Sequence, residues 1–116
     1  MAEIRKFETG ATRDTDDGKF DYEGFLSPVV LARFGQFMHK HRIQTDGNLR
    51  DSDNWQKGIP KSAYMKSLLR HVMDVWASHR TGKTLTGEEL EDALCAVLFN
   101  TQGMLLEILR EKYAQH

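Results

Sequence analysis

Two pairs of side chains at helical spacing offer chemistry in this chain: His71-x-x-Asp74 and Glu89-x-x-Asp92, separated by 14 residues that carry a helix end and a turn. Residues three apart on an α-helix are surface neighbours. Two such helices packed antiparallel would aim four polar groups at one point between them, which is how helical bundles build metal sites. Covered carboxylates need a counter-charge or a metal, and hard divalent cations such as Mg2+ take carboxylate oxygens with waters completing an octahedron. Asp74, Glu89 and Asp92 fit that description, with His71 beside them. A plainer role stays open. Glu89 is also the fourth member of a capping box opened by Thr86, early acids complement a helix dipole, and Glu88-x-x-Glu91 has the same spacing one residue away.

Cations and aromatics surround these acids in the sequence. Arg70 precedes His71, Asn54, Trp55 and Lys57 lie in the loop before the helix, and Arg13 and Lys19 lie near the N-terminus. Metal plus cations suits a polyphosphate ligand, because arginine grips phosphate oxygens bidentately. The Trp55 indole would either stack on a nucleobase or anchor its loop in the core.

The elements that must position these residues are helical. Residues 1–25 are polar and glycine-punctuated with no sustained period, so they read as an extended arm, disordered by default, ahead of a domain over 26–116. A first helix starts at Ser27-Pro28, a hydroxyl cap followed by proline, and ends near Arg42; its His41 reads as a packed or interfacial histidine. Residues 43–60 form a connection longer than helix hairpins use. A second helix runs from about Lys61 to His79, with Met65, Leu68, Leu69, Val72, Met73 and Trp76 as its expected core stripe. The third, from Thr86 to about Tyr113, is apolar on most of its circumference. Such a helix is buried on more than one side, which three helices of this size hardly provide, so a homo-oligomer is expected.

Composition bounds the rest. The 116 residues suit one domain, and a net charge of -1 gives no electrostatic footprint for nucleic acid or anionic membrane. His39-Lys40-His41-Arg42 reads as a solvated helix end rather than a DNA contact. No signal peptide and no run of about 18 apolar residues is visible, which predicts a cytoplasmic protein. Cys95, the single cysteine, reads as a buried structural thiol.

The segment Glu8-Thr9-Gly10-Ala11-x-Arg13-Asp14 with Gly18-Lys19, the loop Asp53-Asn54-Trp55-Gln56-Lys57-Gly58, the Arg70-His71 pair, and Ala93-Leu94-Cys95 followed by Phe99-Asn100 resemble the small phage and bacterial dATP/dGTP diphosphohydrolase domains, relatives of the MazG-like all-α nucleotide pyrophosphohydrolases. The resemblance covers about residues 8–110. It implies an all-α bundle completed by homo-oligomerisation as a dimer or tetramer, with an Mg2+ or Mn2+ cofactor. It implies a purine nucleoside triphosphate substrate, dGTP or dATP, cleaved between the α and β phosphates in a bacterial or phage-infected cytoplasm. Asp74, Glu89, Asp92 and His71 would be the catalytic and metal-binding residues, and Arg13, Lys19, Asn54, Trp55, Lys57, Arg70 and Asn100 would bind substrate. Glu89-x-x-Asp92 matches the second acidic half-motif of the broader superfamily, while His71-x-x-Asp74 departs from the first. Imidazole suits Mn2+ better than Mg2+, so His71 is either a ligand or a contact to water or phosphate. The competing class is a catalytically silent helical oligomer that captures a nucleotide or a protein. The His-Asp metal phosphohydrolases are disfavoured, since no histidine in this sequence is followed by an aspartate.

Overall fold

The computed structural model describes residues 4–15, 17–82 and 85–114. The described chain is mostly helical and falls into two compact units, Met1–Leu31 and Ala32–His116, the first of them longer than the expected arm of 1–25.

The first unit is not a featureless arm, although residues 1–3 and Asp16 of that arm lie outside the described ones. Strands β1 (Ile4–Lys6) and β2 (Thr12–Asp14) pair antiparallel, Arg5 opposite Arg13. The turn between them closes through Gly10, whose amide donates to the Phe7 carbonyl at 2.9 Å and whose φ of 87° suits glycine. A one-turn helix α1 (Tyr22–Phe25) follows, with the Asp21 carboxylate accepting from the Gly24 amide. Strands of three residues, exposed on nearly every position, carry no readable alternation. That is why the sequence pattern shows only a loop there.

Helix α2 (Pro28–Lys40) begins as the Ser27-Pro28 signal predicts, the Ser27 hydroxyl accepting from the Val30 amide at 3.2 Å. The unit boundary falls within it. A 3-10 turn at Asn54–Lys57 precedes α3 (Lys61–Thr81), which Gly82 ends in the left-handed conformation at φ 70°. Helix α4 (Gly87–Ala114) opens on the expected capping box: Thr86 Oγ1 accepts from the Glu89 amide and Glu89 Oε2 from the Thr86 amide.

Helices α3 and α4 pack antiparallel. Lys61 pairs with Glu111 at 2.8 Å at one end, and Asn100 Nδ2 donates to Ser67 Oγ near the middle. Small residues of α4 allow the close approach: Ala93, Ala96 and Gly103 are all buried. Tyr64, 2% exposed, lies where a Cβ on Gly103 would come within 2.5 Å of its hydroxyl oxygen. Gly103→Ala is therefore expected to destabilise. A helical Gly→Ala exchange gains about 1 kcal/mol in propensity, but overpacking a buried ring costs about 1–3 kcal/mol. A urea titration should show a net loss of up to about 2 kcal/mol; raised stability would mean that the ring moves aside freely.

The expected core stripe of α3 requires correction. Leu68 is half-buried, but Met65, Leu69, Val72, Met73 and Trp76 are exposed, and the side facing α4 carries Tyr64, Ser67, His71 and Ser78 instead. On α4, Leu94, Leu98, Leu105 and Ile108 are likewise exposed. Helix α2 lays Phe34, Phe37 and Met38 against Cys95, Ala96 and Phe99. Burial raises the Cys95 thiol above its ordinary pKa, as an inert structural cysteine requires. Contrary to the composition reading, α4 is long and apolar enough to cross a membrane, with a mean hydropathy of 1.3 over 18 residues. In this structure it carries one wall of the helical core, including the buried polar Asn100.

Candidate functional site

Counting about 100° per residue along a helix, Asp74 lies to one side of the α4-facing row of α3, and Val72, Met65 and Trp76 to the other. On α4 the corresponding split puts Asp92, Cys95 and Phe99 on the side of α2, and Leu94, Leu98 and Leu105 away from it. The side bearing α2 holds a cavity of about 680 Å3. Its wall brings together His71 and Asp74 of α3, Glu89, Asp92 and Asn100 of α4, and Asn54 and Trp55 of the 3-10 turn. The two half-motifs thus meet at one cavity across the antiparallel helices. Glu88 and Glu91, the alternative register, line a separate shallow groove with Arg33 and Lys40.

The acids differ in what already engages them. Asp92 Oδ1 accepts from Arg33 at 2.7 Å, and its Oδ2 accepts from Lys40. Arg33 also reaches Glu91 at 2.6 Å. Asp92 thus has its counter-charge from α2, and Glu89 is held by its capping box. Asp74 has no hydrogen bond or ion pair among the described residues. No group of three His, Cys, Asp or Glu side chains there stands close enough to cage an ion. The donor set fits only the kind of Mg2+ site in which one or two carboxylates share the ion with ligand phosphates and water.

Hydrogen bonds from Lys40 and then Arg33 hold the Asp92 carboxyl below its ordinary 3.8. A depressed folded-state pKa stabilises fully above the unfolded value and is lost as pH falls through the folded one. Melting temperatures of the protein and of Asp92→Asn are therefore expected to differ at neutral pH and to converge as pH drops below 3.8. Parallel curves throughout would show that the pair contributes nothing to folding.

At the other end of the cavity the walls are aromatic and amide. Trp55 meets Phe99 edge-on at 6.2 Å, and Arg110 donates to the Gln56 carbonyl, tying the 3-10 turn to α4. Asn100, 3% exposed, donates Nδ2 to Ala96 O at 2.8 Å as well as to Ser67. The His41 ring packs on Phe37 at 4.3 Å; burial, followed by Lys40, pushes its pKa down.

Two expected ligand-binding residues of this unit stand elsewhere. Lys57 is exposed and pairs with Asp51 at 3.4 Å, and Arg70 lies on the exposed surface of α3 outside the cavity lining. Both fall on the outer side of their elements, a direction that spacing from a neighbouring motif does not specify. Arg13 sits in β2 and Lys19 in the exposed chain after it, both in the first unit. In place of Lys57 and Arg70, the cavity wall holds Arg42 and Arg50. Nothing in their sequence spacing marks them; a loop closure unites them. No family model, no curated protein and no solved structure matches the chain.

Proposed function

We propose that the protein is a metal-dependent nucleoside triphosphate diphosphohydrolase acting on a purine nucleotide, dGTP or dATP, in a bacterial or phage-infected cytoplasm. One observation carries the reading: a single cavity holds an aromatic and amide end, two arginines without an acid partner, and an unpaired carboxylate. In this reading a base would lie against the aromatic end of the cavity at Trp55 and Phe99, and the phosphates would lie toward the arginines and Asp74. Mg2+ or Mn2+ would be held by Asp74, with Glu89 or His71 as second donor, and would supply charge neutralisation on the phosphates. Hydrolysis forms a bond from water oxygen to the α phosphorus and breaks the bond to the bridging oxygen, releasing monophosphate and pyrophosphate. Where Glu89 is the second donor, His71 would take the water proton. The chain works in this reading as a homodimer, or as a tetramer of two dimers, covering its exposed apolar stripes.

Turnover assays against all ribo- and deoxynucleoside triphosphates, with each ion, test this. Monophosphate plus pyrophosphate from a purine subset is the expected result. A second reading has its own support: Asp92 and Glu89 are engaged by Arg33, Lys40 and the capping box, as suits a silent nucleotide-binding module. Tight nucleotide binding without turnover would favour it.

A further inference from the structure

The chain after α2 makes a small closed loop. The Arg50 amide donates to the Arg42 carbonyl at 2.7 Å, and Arg42 Nε returns a bond to the Arg50 carbonyl at 2.8 Å. Ile43 bridges Leu49, and the Gln44 amide donates to Asn48 O; Gly47, at φ 85°, makes the turn. Arg42 and Arg50 are therefore opposed at the neck of this loop, eight residues apart in sequence and adjacent in space. Both line the cavity.

Neighbouring acids do not neutralise them. Asp51 is taken by Lys57, Glu91 by Arg33, and Asp92 by Arg33 and Lys40. Neither Arg42 nor Arg50 has an ion pair among the described residues. Arg42 keeps its terminal nitrogens after Nε is used, with its plane held by the backbone bond, and Arg50 keeps its whole fork. Guanidinium forks suit phosphate oxygens bidentately, and fixing one in advance lowers the cost of ordering it. On the same cavity, Asp74 is an acid with no cation, so opposite charges stand unpaired around one space.

We infer that Arg42 and Arg50 form a clamp for the terminal phosphates of a di- or triphosphate ligand, replacing Lys57 and Arg70 as the phosphate-binding residues of the cavity. The inference rests on the nucleotide reading above. Titration calorimetry of the full chain with inorganic pyrophosphate, in chelator and at low salt, tests it, with deoxyguanosine as a probe lacking phosphate. Arg50→Gln is expected to weaken pyrophosphate at least tenfold, and the Arg42→Gln/Arg50→Gln pair to abolish its binding, while deoxyguanosine affinity stays unchanged. Arg50→Lys should give an intermediate loss, because charge remains and the fork does not. The Arg50 side chain makes no described bond, so its single variants report on binding even where the pair disturbs the loop. Pyrophosphate affinity unchanged in Arg50→Gln but reduced in Arg70→Gln or Lys57→Gln would overturn the clamp and leave the nucleotide reading standing. A wild-type chain that binds neither pyrophosphate nor any nucleoside triphosphate would remove both.

Discussion

Asp74→Asn is expected to lower nucleotide turnover by on the order of 10^3-fold, the scale of losing one electrostatic contact to a reacting centre, while leaving the melting temperature within about 2 °C. The expectation separates chemistry from folding because Asp74 is exposed and makes no described hydrogen bond or ion pair. Substitutions at such positions change stability by about 0.5 kcal/mol or less. Asp92→Asn is the contrasting case. Its carboxylate is what α2 grips through Arg33 and Lys40, so that variant should lose stability along with any activity, and its kinetics alone would say nothing about catalysis. The diagnostic pattern for Asp74→Asn is loss of turnover with nucleotide still bound in the absence of metal. Full turnover in the variant would take Asp74 out of the reaction.

The helices were legible in the sequence because their signals are local: Ser27-Pro28, the Thr86 to Glu89 box and Gly82 each act within one turn, and each makes the contact that its residue type predicts. Which face of a helix meets which partner is not local. The apolar period of α3 identifies a stripe that favours burial, yet within one chain α4 offers Ala96, Asn100 and Gly103, and these accept Ser67 and Tyr64 rather than Trp76 and Leu69. The site divides in the same way. The i, i+3 spacing brought His71, Asp74, Glu89 and Asp92 to one cavity. Arg42 and Arg50 depend on a nine-residue loop folding back on itself, whose sequence signal is the turn pair Asp46-Gly47 between Ile43 and Leu49. The pairing of Asp92 with Arg33 spans 59 positions and lies beyond spacing arguments.

Glutamate at both Trp76 and Leu98 is expected to convert a dimer to a monomer, raising its dissociation constant by on the order of 10^3-fold, or about 4 kcal/mol. Met65, Leu69, Val72, Met73 and Trp76 on α3, with Leu94, Leu98, Leu105 and Ile108 on α4, are nine large apolar residues that stay 38–56% exposed. Helical spacing puts Met65, Leu69, Val72, Trp76, Leu94 and Ile108 on the side of the hairpin away from α2 and the cavity, with Met73, Leu98 and Leu105 at its outer edges. Side chains of this size expose on the order of 800 Å2 together, the area that one partner contributes to a standard interface. A second copy would supply the same surface, and two hairpins face to face would make a four-helix core by the ordinary packing of such bundles. Two buried carboxylates would each have to be desolvated without a partner. Because both positions are exposed within one chain, the variant should keep its helical circular dichroism. Sedimentation should give twice 13.4 kDa for the protein and 13.4 kDa for the variant. The cavity lies on the opposite side, so the monomer should still bind nucleotide. A wild-type chain that stays monomeric at high concentration would reject the dimer.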